Sequence, residues 1–210
     1  MSSAIAGAIF FGVAGSQVGP QLTLVPVLVM VSALLALSVA DIDRFRLPDR
    51  ILFPSIAVNI AIIAGLAFAG DLGDFIVPAI VCAFGYFLFL LIPNLVRPDA
   101  LAFGDVKLAF LLGLMLGWSR ASIAEGLVLV VYALILGMLL GILSGIGVAL
   151  GRRAWGHGFL PDPDFPPPED GSHLPLLQTQ FPFGPALALA AVIILFLGES
   201  IIDTPGVFSV

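Results

Sequence analysis

The chain has 210 residues, 60% of them hydrophobic and only 10% charged, with a mean hydropathy of +1.16 and a formal net charge of −6. Soluble domains are about half apolar and about a quarter charged, so the balance excludes an ordinary soluble domain and implies a polytopic membrane protein. The negative charge argues against nucleic-acid binding, and the single cysteine, Cys82, rules out a disulfide or a cysteine-based zinc site within one chain.

A spanning helix needs about 20 mainly apolar residues. The N-terminus, Met-Ser-Ser-Ala-Ile-Ala, lacks the basic stretch of a signal peptide, so a short apolar segment at 3–18 is expected to be retained. Clear spans are predicted at 21–40, 51–70, 75–95, 124–149 and 181–200, with a short one at 106–118 that ends at Trp118. The expected fold is therefore all-α, a transmembrane bundle of six to seven helices. It forms a single domain over 1–210, with no internal repeat. Between the last two spans, at about 151–180, Pro161, Pro163, Pro166, Pro167, Pro168 and Pro175 exclude regular helix. Asp162, Asp164, Glu169 and Asp170 keep that stretch solvated, which predicts a flexible cytoplasmic loop.

Basic residues set the orientation. With loop 41–50 inside, Arg44, Arg46, Arg50, Arg97, Lys107, Arg152 and Arg153 all fall on the cytoplasmic side, and only Arg120 falls outside. Asp41 and Asp105 then share the cytoplasmic face.

Two acidic motifs stand where apolar segments meet polar loops. The first is Asp41-Ile-Asp43-Arg-Phe-Arg-Leu-Pro-Asp49, and the second is Phe103-Gly104-Asp105-Val106-Lys107. Taken singly, each aspartate is a solvated boundary carboxylate: Asp41 ends a helix and Asp105 favours a helix N-terminus. As a pair they can do chemistry. Peptide hydrolysis by carboxylates needs one as general base on a water and one as general acid toward the carbonyl oxygen. Like charges a few ångström apart share a proton, and a membrane edge strengthens that coupling. Gly104, without a Cβ, either lets a substrate backbone approach Asp105 or is a plain turn before a helix. Lys107 either acts on Asp105 or a bound peptide, or snorkels to the interface. Asp49, after Leu-Pro, reads as a helix-start residue with a capping role.

These motifs resemble the two signature motifs of the type IV prepilin peptidases, intramembrane aspartic proteases with a Gly-x-Gly-Asp motif. The similarity continues in the apolar, Gly-containing stretch Leu108–Trp118 and in Phe181-Pro-Phe-Gly-Pro185, which leads into the last helix. It implies Asp41 and Asp105 as the catalytic pair, with Gly104, Lys107 and Asp49 in support and no metal or organic cofactor. It further implies cleavage of the leader from a prepilin-like protein whose hydrophobic N-terminal helix lies in the bilayer. The location implied is the bacterial inner membrane, with several spans. Ala102 stands where the motif has its first Gly and lacks that residue's access to positive φ. The family's long forms carry an insert with paired Cys-x-x-Cys motifs linked to N-methylation; this chain has no such cysteines, so methyltransferase activity is not expected. A different function class, a small ion- or proton-coupled transporter using Asp41 and Asp105, would place its site near the midplane within repeated halves.

Other features read as packing. Gly137, Gly141 and Gly145 form a small-residue ladder for close helix contact. Pro54, Pro78 and Pro93 are candidate kinks, Trp118 and Trp155 fit interface anchors, and Asn59 and Tyr86 fit interhelical hydrogen bonds. His157 and His173 have no ligand partners at metal spacing.

Overall fold

The computed structural model describes residues 22–44, 48–70, 72–96, 102–155, 183–202, 204 and 206–208. The predicted segment 3–18 and nearly all of the Pro-rich loop lie outside the described residues. Within them the chain forms six α-helices and no strand: α1 (Leu24–Arg44), α2 (Asp49–Ala69), α3 (Ile76–Val96), α4 (Phe103–Trp118), α5 (Ile123–Trp155) and α6 (Gly184–Ile201). A 3-10 turn, Gly73–Phe75, leads into α3. Four segments, Leu24–Asp41, Asp49–Ala69, Gly73–Val96 and Ile123–Gly147, are long and apolar enough to cross a membrane.

The surface is that of a membrane protein. Phe53, Phe68, Phe84, Phe89, Ile92 and Leu143 are exposed on helix faces, whereas Asp41, Asn59, Asp105 and Arg120 are buried. Water would reverse that pattern, and lipid favours it.

Helix α4 is the axis of the bundle. At 16 residues it is about 24 Å long, and most of its side chains are buried all round. It lies against α3 over much of its length because two glycines permit it. A Cβ on Gly113 would sit 2.9 Å from the Ala83 Cα, and one on Gly117 would sit 2.7 Å from the Ala79 Cα. The expected glycine ladder on α5 also packs: Gly137 faces Leu187 and Gly141 faces the Phe183 ring, which seats α6.

Several expectations are corrected. Helix α5 runs on to Trp155, into the stretch expected as loop, while its membrane-crossing part, Ile123–Gly147, agrees with the expected span. Trp118 anchors no interface; it is fully buried and meets the Phe75 ring edge-on at 5.8 Å, since the end of an axial helix lies inside protein. Arg120 lies in the turn between α4 and α5 and is buried there. Its Nη1 donates to the Thr204 carbonyl at 2.6 Å, and the Thr204 hydroxyl donates to Glu125 at 3.0 Å. With the Val207 N–H donating to the Ser119 carbonyl at 3.1 Å, these bonds tie the C-terminal residues to the α4–α5 corner. Among the described residues Asn59 makes no interhelical bond either: its Nδ2 donates to the Ser55 carbonyl one turn back.

Candidate active site

Three helix ends converge. Helix α1 brings Asp41, α4 brings Asp105 in its first turn, and α6 begins at Gly184 between them. A Cβ on Gly184 would lie 2.9 Å from Asp41 Oδ2 and 3.4 Å from Asp105 Oδ1, so the two carboxylate oxygens are no farther apart than the sum of those distances. Both aspartates are nearly removed from solvent, at 6% and 4% exposure. The backbone N–H of Gly184 acts electrostatically on the Asp41 carboxylate, whose Oδ2 has no hydrogen-bond partner among the described residues. Without a side chain, Gly184 lets the backbone of α6 reach both acids.

The local structure differs from the sequence expectation at each acid. Asp41 does not end a helix, since α1 runs on to Arg44 and buries the carboxylate on its inner face. Gly104 is not a turn; α4 already begins at Phe103, so Gly104 and Asp105 are both helical. Ala102 sits in extended backbone at φ −63° and ψ 132°, a conformation any residue adopts, so the missing glycine costs no backbone strain. Burial first, and then the neighbouring charge of Asp41, raise the Asp105 carboxyl to about 7. Two carboxyls so placed do not both ionise readily, which favours a shared proton.

Asp49 and Lys107 belong to each other. The Lys107 Nζ donates to both Asp49 oxygens at 2.8 Å and lies 5.2 Å from the Phe53 ring centroid and 5.1 Å from that of Phe103. Pro48 is the N-cap of α2 and Asp49 stands in its first turn, where the carboxylate is engaged by this tie. With the side chains 20% and 53% exposed, the ion pair contributes at most about 1 kcal/mol. Each ring adds a cation–π contact of about 0.5–1 kcal/mol at an exposed site. Their combined effect is positional, holding α2 against α4 two residues from Asp105.

Sequence reasoning missed two residues here. Gly184 was visible only as the glycine of Phe-Pro-Phe-Gly-Pro, a lead-in to a helix with no chemistry of its own. Tyr86 on α3 read as an interhelical hydrogen-bonding residue, yet its buried hydroxyl has no hydrogen-bond partner among the described residues, and the Asp105 charge acts on it. Among the described residues no group of three or more His, Cys, Asp or Glu is placed to hold a metal ion. The arrangement offers paired acids, a close backbone approach and an apolar surround, which suits acid–base hydrolysis.

Comparison with known proteins accords with that chemistry. Residues 28–146, more than half of the chain, match Peptidase_A24, the type IV leader peptidase family. The chain is 29% identical over 180 residues to the prepilin leader peptidase/N-methyltransferase of Aeromonas hydrophila, and equally to that of Aeromonas salmonicida strain A449. Each alignment covers 83% of this chain and 50% of the relative, so the chain spans about half the length of the curated relatives it matches. No solved structure matches.

Proposed function

This chain belongs to the type IV leader peptidase family, and from that footing we propose that it is a membrane-embedded aspartic endopeptidase removing the leader of prepilin-like precursors. The observation that carries the reading is the meeting of two buried carboxylates, from opposite ends of the sequence motif pair, on either side of Gly184. Asp41 and Asp105 are the catalytic pair. The ionised member takes a proton from a water, whose oxygen attacks the scissile carbonyl carbon. The protonated member gives its proton to the carbonyl oxygen. As the tetrahedral intermediate collapses, the C–N bond breaks, the amine leaves with the proton held by one member, and a hydroxyl of the intermediate returns its proton to the other, restoring the pair. No step calls for a metal. Gly184 supports the pair through its backbone, while Gly104, Lys107 and Asp49 hold the start of α4 in place.

The basic-residue bias puts the pair at the cytoplasmic face of the inner membrane, with several spans around it. The precursor's apolar helix then lies in the bilayer and its leader in the cytoplasm. An ion-transporting role is not favoured: the acids stand at helix ends, and the sequence shows no repeated halves. The test is to reconstitute the chain in vesicles with a prepilin precursor and weigh the products. One cut at the leader–helix boundary is expected; an intact precursor contradicts the proposal.

A further inference from the structure

A groove of about 160 Å³ opens between α1 and α6. Leu34, Leu35 and Ser38 form much of one wall, and Pro185, Ala188 and Val192 form much of the other. Residues at i, i+3/i+4 and i+7 share one helix face, and the next member of the α1 series is Asp41 itself. On α6 the wall starts at Pro185, directly after Gly184, where a Cβ would meet both carboxylates. Although Asp41, Asp105 and Gly184 do not line the groove, both walls start within a turn of the acid pair. Both run away from it in the same direction, into the apolar length of their helices. Apart from the Ser38 hydroxyl, the lining is hydrocarbon.

A peptide cut at the pair must put the residues flanking its scissile bond into the space beside the pair. The groove leads from there into lipid-facing hydrocarbon and carries no charge to meet a basic leader. We propose that the groove is the specificity pocket for the C-terminal side of the scissile bond, receiving the first apolar side chain of the precursor's membrane helix. This deepens the peptidase reading and rests on it. The volume accommodates about one large side chain, since it is roughly five times the share of a liquid water. Discrimination between neighbouring apolar side chains is then modest, about 10- to 200-fold per methylene-scale misfit.

Two variants and one capture experiment test this in the full chain in vesicles. Ala188→Leu narrows the groove, and Leu35→Ala widens it. With a precursor carrying phenylalanine just after the cut, Ala188→Leu is expected to raise KM at least about tenfold. With alanine at that precursor position the loss is expected to shrink to within about threefold, well inside one such misfit. Leu35→Ala is expected to relax the preference between the two precursors. Equal losses on both precursors for Ala188→Leu, or an unchanged preference in both variants, overturns the pocket. Separately, a photoreactive phenylalanine analogue at Leu189, which also lines the groove, is placed in an Asp105→Asn chain. It is expected to capture the precursor through its apolar helix. Capture only of lipid, of residues 1–21 of the same chain, or of a second copy overturns the proposal. Wild-type cleavage in the same vesicles separates the two ideas. If wild type cuts and the groove variants behave as wild type, the pocket alone fails; if wild type does not cut, the peptidase reading fails and takes the pocket with it.

Discussion

Gly184 is the residue on which both acids depend, because any side chain there must occupy their space. Adding one methyl in Gly184→Ala puts a carbon 2.9 Å from Asp41 Oδ2 and 3.4 Å from Asp105 Oδ1. One of the carboxylates must shift by a few tenths of an ångström, and misplacement of a reacting group costs up to about 100-fold in rate as it approaches about 1 Å. The expected outcome is a cleavage rate down by up to that factor with little change in thermal stability, read from vesicle assays and unfolding curves. Proton bookkeeping gives a second expectation. Asp105 ionises at about 7, so below that pH the pair keeps the proton that one member must donate, and above it the proton is lost. Cleavage should therefore fall as pH rises through neutrality; a rate that holds level or climbs there contradicts the raised carboxyl. Asp41 and Asp105 were legible as a pair because each ends or begins an apolar run inside a distinctive acidic motif. The bond between Lys107 and Asp49 was not, since 58 residues separate partners that only the fold brings within 2.8 Å. Nor was the burial of Arg120, because a lone arginine between two apolar runs reads as a loop charge until its carbonyl partner is seen.

Among the helices, the α3–α4 contact matters most, for it fixes the height and rotation of the element that carries Asp105. Gly113 and Gly117 lie four residues apart, one turn, and set that contact against backbone rather than flexible side chains. Gly117→Val is expected to force the helices apart at Pro78 and Ala79, with an overpacking cost of about 1–3 kcal/mol. A lowered melting temperature and a loss of cleavage should appear together; full stability with normal cleavage would show that the close contact is dispensable. Hydropathy located every described helix, since a run of about 20 apolar residues has few alternatives. Helix limits were less legible. Helix α4 begins before its hydrophobic stretch, at Phe103, because Gly-Asp at the start of a helix is compatible with both turn and first turn. The α5 ladder was read as spacing; Gly113 and Gly117 show the same four-residue spacing, but spacing alone does not say which helix they approach.

At the level of the whole molecule, the two ends of the bundle serve different purposes. The far end is closed by Arg120, Thr204, Glu125 and Val207, which fasten the C-terminal residues over the α4–α5 corner. The near end gathers three helix termini around two acids, with the Asp49–Lys107 tie at its rim and an apolar groove leading away. Structure is invested in rigidity at one end and in a reactive cluster at the other. The composition announced a membrane bundle, and the motifs announced an acid pair; neither could show that the pair is approached by the start of the last helix. The decisive measurement is cleavage of a co-expressed prepilin precursor by wild type, Asp41→Asn and Asp105→Asn, with membrane insertion of each checked alongside. Each substitution keeps shape and removes one acid, so each alone should lower processing by at least about 100-fold while insertion is unchanged. Processing at the wild-type rate in either variant would contradict a shared-proton pair.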